Sequence, residues 1–480
     1  MRNPRKNSRG YLLVLLLVYG SVFFIILTAF FASIMSQWNI TRQYIASERA
    51  LYIAEAGLEY YKWFLAHYPE DTTHGTGDPG PFTRTFSDPE GDVIGEYEIE
   101  ATGNFVCGTV SAIDIRSTGR LYGSANAERT LFARYARPSI AEFSFVINSN
   151  VWAGPSRDIT GPYHSNGFIR MDGVNHSIVT SQQDRWECDD DQLNCSGAQY
   201  NGTTVSEGDD ISAIFGSGPG SDLWSNPVPP INFTNLLIGL ADMRDRAINE
   251  GGVFIPDTTH HGYRVHFNGD GTFTTQEVSS APLHSEYSST AGSWYQARRI
   301  VTGTTNTTTY TIPDDCPVIF IEDNVWLSGE IDRKLSIAAA NPGSTGIQPT
   351  IVLQDNITYT NSDAGLLAIA EQDVLLGIDI PNNLELNGIF VAQNGHFGRN
   401  HYTTASLPTG YGQYVFRDST TLNGTVVSNG RVGTQWVSGG VSISGILDRT
   451  NTYDRNLVDD PPPLTPLSSD TYRFVEWLEI

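Results

Sequence analysis

The pattern of apolar and polar positions divides the chain into unlike parts. From Gly10 to Thr41 there is no charged residue, and residues 11–35 are almost wholly apolar. At 1.5 Å per residue such a run spans about 37 Å as a helix, more than the ~30 Å hydrocarbon core of a bilayer. A secretory signal needs only about 7–15 apolar residues followed by a small-residue cleavage site. This run is longer, and no such site follows it. The pattern then takes on a helical period. Tyr44, Leu51, Ala54, Leu58, Tyr61, Leu65 and Tyr68 recur at steps of three and four, apart from Ser47 in the gap. Glu48, Arg49, Glu55, Glu59 and Lys62 occupy the other faces. Pro69 and the Gly- and Thr-rich run behind it stop the pattern. One helix is therefore predicted over residues 11–68, with a membrane span at 11–36 and an amphipathic extension at 37–68.

Alternation with period two follows. Tyr97 and Ile99 alternate with Glu96, Glu98 and Glu100; Ile113 and Ile115 with Asp114 and Arg116; Leu131, Ala133 and Tyr135 with Phe132 and Arg134. The three segments, 93–101, 109–118 and 127–136, predict an antiparallel meander with one buried face, within a head over 69–137. Pro138 opens a body over 138–480 that is rich in Gly, Asn, Ser and Thr. Short apolar runs such as 318–321, 335–340, 350–353, 366–370 and 388–392 recur there with Asn or Gly at the corners. That spacing suggests a parallel β-solenoid; a β-sandwich stays open as the alternative. An insertion over about 181–313 carries a helix at 233–249 and a hairpin whose turn is Asn268-Gly-Asp-Gly271. The fold class expected is thus α+β in the N-terminal part, a long helix plus an antiparallel meander, followed by a mainly β body.

Charge changes the picture in one respect. The formal net charge is −24, and four of the cations, Arg2, Arg5, Lys6 and Arg9, fall in a basic leader at 1–10. A basic cluster before an apolar helix keeps the N-terminus in the cytoplasm and sends the body outward. The strongly acidic remainder repels phosphate backbones, which argues against nucleic acid as a partner. The four cysteines are Cys107, Cys188, Cys195 and Cys316. Cys188 and Cys195 flank a short acidic loop that a disulfide can close if the body is extracytoplasmic; the pairing of Cys107 and Cys316 is left open.

Arg9-Gly10-Tyr11 before an apolar run, and then Ala54-Glu55-Ala56-Gly57-Leu58, resemble the N-terminal domain of the PilX family of type IV pilus minor pilins. The resemblance covers roughly the first 65 residues. It implies a pilin-like head and cutting by a prepilin peptidase between Gly10 and Tyr11. It also implies, as partners, other pilin subunits, inner-membrane assembly machinery and membrane lipid. Major pilins carry a Glu at the fifth mature position. Here that position is Leu15, as is common in PilX-like and GspK-like subunits, and this fits a minor or tip subunit. Tyr163-His-Ser-Asn-Gly167, residues 318–329 and the ending through Asp460-Pro-Pro-Pro463 look like uncharacterised solenoid domains found behind such N-termini.

Motifs for chemistry are sparse. The chain has no G-x-S-x-G, H-E-x-x-H, Walker A or dinucleotide fingerprint. His260, His261 and His266 lie close together, but their spacing is poor for a metal. Asp189, Asp190 and Asp191 read as a solvated acidic tip that could alternatively bind calcium. Trp152, Trp186, Trp224, Trp294 and Trp326 read as core residues that could alternatively stack on sugars. The expectation is no enzyme and no cofactor: a pilin-like subunit presenting its body for adhesion or assembly. The alternative is a membrane-tethered protein that binds or degrades polysaccharide.

Overall fold

The computed structural model describes residues 9–68, 71, 73–75, 77, 80–124, 127–200, 202–233, 239–343, 348–469 and 471–480. Most of the basic leader, Pro69, and Leu236 and Leu237 of the expected second helix lie outside these. The chain forms two compact units. The first comprises Met1–Gly103, Ile113–Tyr135 and Glu476–Ile480; the second comprises Asn104–Ala112 and Ala136–Val475. The boundary expected near residue 137 is therefore crossed twice. The tip of one hairpin clusters with the second unit, and the chain's last residues return to the first.

The first unit is built on helix α1, Arg9–His67. Its strands are β1 (Phe82–Ser87), β2 (Val93–Val106), β3 (Thr109–Leu121) and β4 (Glu128–Ala136), in the order β1-β2-β3-β4, with the C-terminal strand Arg473–Glu479 beside β4. β1 pairs antiparallel with β2, and β3 with β4. Tyr97, Ile99, Ile113, Ile115, Leu131, Ala133 and Tyr135 are all buried, on the face that the alternation of their segments marks. β1 and the C-terminal strand carry no such clean alternation, so the periodic pattern does not mark them.

The buried stripe of α1 differs from the expected one. It runs Ala50, Ile53, Ala54, Gly57, Leu58, Tyr61, Phe64 and Leu65, while Tyr44 and Tyr68 are exposed. The reason is close approach. A Cβ on Gly119 of β3 would stand 2.2 Å from the Ala50 carbonyl oxygen and 2.5 Å from the Ala54 nitrogen. A Cβ on Gly57 would stand 2.2 Å from Ser117 Oγ. Small residues thus let helix and sheet backbones touch, and the small side of the helix, not its most aromatic side, faces the sheet.

The second unit contains one large mixed sheet of 21 strands and several small ones. Its central ladder is parallel. In spatial order it runs Val253–Ile255, Val318–Ile321, Lys334–Ala339, Gly365–Ala370, the end of Asn383–Ala392 and the end of Phe416–Ser428. It continues with Phe145–Ile147, Tyr163–Ser165, Val179–Ser181 and Trp224–Ser225. A second parallel ladder joins Tyr263–Asn268, Val325–Ile331, Ile351–Tyr359, Val374–Leu376 and Phe397–Gly398. A third joins Asn383–Ala392, Phe416–Ser428, Val441–Thr452, Arg157–Ile159 and Val174–Asn175. Antiparallel hairpins are added at Tyr263–Asn268 with Thr272–Ser280, at Gln435–Ser438 with Val441–Thr452, and at His284–Ser288 with Ser293–Ala297.

Spatial order departs from chain order at one point. The chain enters the ladder in its middle, at Phe145, and builds to Trp224–Ser225 at one edge. It resumes at Val253 on the opposite edge and builds back until Val426, Val427 and Ser428 pair with Phe145, Val146 and Ile147. This seam joins residues as far apart as Asn148 and Asn429, whose side chains hydrogen-bond at 2.9 Å. It also corrects the expected insertion at 181–313. Val253–Ile255 and Tyr263–Asn268 lie inside that interval, yet both belong to the ladders. A long excursion separates them in sequence from their neighbours at 318 and 325, which hides the repeat.

The short apolar runs of the body have a simple cause: the central ladder is buried on both faces. Ile319, Ile321, Ile337, Ala368 and Phe390 face one core. Val318, Phe320, Ala338, Leu367, Ile369 and Val427 face another, covered by α2 (Leu240–Asn249) through Leu240, Met243 and Ala247 and by Ile140, Ala141 and Leu457. Fully burying one such side chain contributes roughly 1.5–3 kcal/mol. The described part of the expected helix begins at Leu240, and Gly251, at φ +86°, follows its end.

Two disulfides complete the second unit. Cys188 is bonded to Cys195, and Cys107, at the hairpin tip assigned to this unit, to Cys316 across a separation of 209 residues. Loop-closure entropy makes the longer bridge the stronger constraint on the unfolded chain, about 5 kcal/mol against about 2.5 kcal/mol for the 7-residue separation. Cys316→Ser is therefore expected to lower stability more than Cys195→Ser. Urea unfolding of both variants checks this; equal midpoints would contradict it.

Candidate functional site

Gly10 and Tyr11 lie in the first turns of α1, and Tyr11 is 77% exposed. Along the following apolar stretch nothing is buried within the chain: Leu15, Phe23, Phe24, Ile25, Phe30 and Met35 are all exposed. A helix this long and apolar is able to cross a membrane. Trp38 and Arg42, the first charged residue after the leader, stack at 5.6 Å near the end of the apolar stretch. An aromatic ring and a cation there suit a membrane–water boundary.

Cys188 and Cys195 close the acidic loop, around which Trp186, Leu193, Val205 and Ile211 pack. Asp190 accepts from the Ser196 N–H at 2.6 Å, and the hydrogen bonds from Ser196 lower its pKa. Cys188, Asp190 and Cys195 form a cluster with metal-compatible spacing, but both sulfurs are consumed in the bond. The three histidines are not brought together on one ligand. His260 Nδ1 meets Glu277 at 2.7 Å and His266 Nδ1 meets Ser328 Oγ at 3.1 Å, while His260 and His261 line one recess together with Asp323. The turn Asn268-Gly-Asp-Gly271 closes a hairpin, with Asp270 accepting from Thr272. Trp186 and Trp326 are buried, Trp152 stacks under Arg170 at 4.2 Å, Trp224 donates to Asn175 at 3.0 Å, and Trp294 is 47% exposed.

A recess of the second unit is one that sequence reasoning missed. It has a volume of about 820 Å³ and is lined by Ser288, Thr290, Tyr295, Arg299, Asn324, Gln348, Gln372, Asp373 and His396. The hairpin His284–Ser288 and Ser293–Ala297 forms one wall, and the turns after the parallel strands form the other. Behind the wall lies a continuous polar network. His396 Nδ1 is 2.9 Å from Asp373 Oδ1, out of hydrogen-bonding alignment, while the His396 backbone N–H donates to that oxygen at 2.8 Å. His396 Nε2 meets Asn400 Oδ1 at 3.1 Å, and Asn400 Nδ2 donates to Glu286 Oε1 and to the Tyr295 hydroxyl, each at 3.0 Å.

Glu286 is fully buried and meets Arg299 Nε at 3.3 Å, His284 Nε2 at 3.2 Å and the Tyr402 hydroxyl at 3.2 Å. Burial opposes its ionisation, but Arg299, with His284 and Tyr295, outweighs that and holds the carboxyl down at about 2. Burial also opposes ionisation of Asp373, but the adjacent His396, through its ring and its backbone N–H, and the Arg299 charge prevail and lower its pKa. Chemically the recess offers amides, hydroxyls, one imidazole, one guanidinium and one lining carboxylate. That suits a polar, uncharged ligand. A pair of carboxylates placed to flank a glycosidic bond is not assembled in it among the described residues. No local motif could have revealed it, because its parts come from residues 284–299, 324, 348–373 and 396–402.

No protein-family model matches this sequence, and no curated protein matches it. Among solved structures, the competence-associated pilin ComZ from Thermus thermophilus is similar over 90% of this chain and 97% of that one, at 12% identity and a TM-score of 0.31. Such values do not establish a common fold. What the chain itself presents is a long apolar N-terminal helix, exposed in its first half and packed on an antiparallel sheet in its second, followed by a mostly β body.

Proposed function

We propose that this protein is a membrane-anchored, pilin-like subunit of a type IV pilus system, a minor or tip subunit of the PilX type. Its β-rich domain, read as a parallel β-solenoid with added hairpins, is presented outside the membrane for adhesion or assembly. The observation that carries the reading is the division of labour along α1. Its apolar first half is bare of intrachain contacts, and its second half is seated through Ala50, Ala54 and Gly57 on the sheet. A plain membrane anchor needs no such seat. Both cysteine pairs are joined in disulfides, which suits a body held in an oxidising compartment. In this role a prepilin peptidase removes the leader between Gly10 and Tyr11. The partners are other pilin subunits, inner-membrane assembly machinery and lipid. No catalysis, cofactor or nucleic acid is required.

N-terminal sequencing of the protein from its native membrane tests the reading: the mature chain is expected to begin at Tyr11 and to appear with sheared filaments. A chain that begins at Met1 and stays with the membrane on shearing would sink it. A second reading, a tethered polysaccharide-binding protein, is favoured by the polar recess around Tyr295 and Arg299. Binding to a polysaccharide panel tests that one, and no retention of the full chain on any of them removes its support.

A further inference from the structure

The third parallel ladder carries an anomaly at the seam. Its inward positions are aliphatic or neutral on one side, at Leu386, Thr420 and Leu422, and then become Arg449 and Asn451, followed by Arg157 and Ile159. Arg157 and Arg449 are in register on neighbouring strands, which stand about 4.8 Å apart. Both are almost wholly buried, at 7% and 6% exposure. Every hydrogen-bond partner they have is neutral. Arg157 donates to Asn451 Oδ1 at 3.2 Å and to Thr434 Oγ1 at 3.1 Å; Arg449 donates to Gln435 Oε1 at 2.8 Å and to Ser156 Oγ. No carboxylate of the described residues pairs with either.

Two guanidinium groups side by side in a protein interior repel each other and lose their hydration, and a buried charge is otherwise paired. Shedding a proton is no escape. Burial, with the neighbouring Arg157 charge second, pushes Arg449 down to about 9, which still leaves it charged at neutral pH. Arg449 Nε and Thr420 Oγ1 are also buried without a partner. They line the same narrow space as Arg157, Thr434 and Asn451, and this space leaves about 10 Å³ for the centre of a water-sized body. That is room for one small particle, not for phosphate or sulfate. A water molecule fits but cannot offset two like charges.

We propose that this space holds a single monatomic anion of the chloride class, bound between Arg157 and Arg449, and that the anion fastens the two halves of the β body at their seam. Its position explains the surplus of donors: Arg449 and Thr420 line the space, and the Arg449 Nε–H and the Thr420 hydroxyl have no partner in the chain. Because the anion binds only where Val441–Thr452 lies against Arg157–Ile159, it binds the folded state alone and stabilises it by mass action.

Thermal unfolding of the full chain in detergent tests this, with sodium gluconate replaced by sodium chloride at constant ionic strength. The midpoint is expected to rise by about 2 °C per tenfold increase in chloride above its dissociation constant. Arg449→Met is expected to abolish the dependence, and Arg185→Met, at an exposed pair with Asp210, to leave it intact. Thr420→Val, which keeps both cations, is expected to weaken it and serves if Arg449→Met does not fold. Crystals grown in bromide are expected to show an anomalous peak between the two guanidinium groups. A midpoint indifferent to chloride, a dependence that survives Arg449→Met and Thr420→Val, or bromide crystals without that peak would each overturn the proposal.

Discussion

Glu286→Ala is expected to destabilise the second unit by about 3–5 kcal/mol, the usual effect of removing one partner of a buried ion pair. The carboxylate is wholly enclosed, and its bonds reach Arg299, His284, Asn400 and Tyr402. Its loss strands the mostly buried Arg299 cation, whose side chain is 14% exposed, and leaves the Asn400 amide and the Tyr402 hydroxyl short of an acceptor. Those groups hold the hairpin 284–297 against the ladders, so the wall of the polar recess is expected to loosen with them. Glu286→Gln keeps an acceptor but not the charge and is expected to fall between the wild type and Ala.

Acid provides an independent check. The folded-state value of about 2 lies below the ordinary 4.5. A depressed carboxyl contributes stability that is complete above the unfolded-state value and is lost as the pH falls through the folded one. The difference between wild type and Glu286→Gln is therefore expected to shrink by about 3 kcal/mol between pH 5 and pH 2. Urea midpoints across that range measure it, and a difference that stays constant with pH would refute the assignment.

Gly119→Val is expected to destabilise the first unit by about 3 kcal/mol or more, at the upper end of what overpacking does. The clash is with backbone, 2.2 Å to the Ala50 carbonyl oxygen and 2.5 Å to the Ala54 nitrogen, so no rotamer change relieves it. Gly119→Ala meets the same atoms and is expected to lose somewhat less. Both variants push α1 off the sheet over the stretch that buries Ile53, Leu58, Tyr61 and Phe64. Amide exchange along residues 50–65 is expected to accelerate, while exchange in the ladders stays unchanged. Wild-type protection of that helix segment in Gly119→Val would show that the contact is unimportant.

These two sites differ in how far they could be read in advance. A helix over most of residues 11–68 follows from an uncharged apolar run and then a helical period, both local properties. The alternation in β2, β3 and β4 follows likewise, as does the hairpin around Asn268-Gly-Asp-Gly271. Which side of the helix is buried does not follow. Periodicity marks an apolar stripe but carries no information about the partner. Here the partner presents Gly119 at the contact, so the small residues Ala50, Ala54 and Gly57 turn inward and Tyr44 stays outside. The runs at 318–321 and 366–370 mark strands buried on both faces without telling which strand lies beside which.

The sequence by itself determined where the membrane-competent helix lies, which residues alternate as strands, and that the body is built of short strands with Asn and Gly corners. Each of these is set by interactions within a few residues along the chain. Tertiary structure alone decided the pairing of Val426–Ser428 with Phe145–Ile147, the bond from Cys107 to Cys316, the enclosure of Glu286 and the meeting of Arg157 with Arg449. In each case at least one partner lies more than a hundred residues away. What fixes them is the burial of apolar strand faces, and the demand that buried polar groups find partners, across the whole unit.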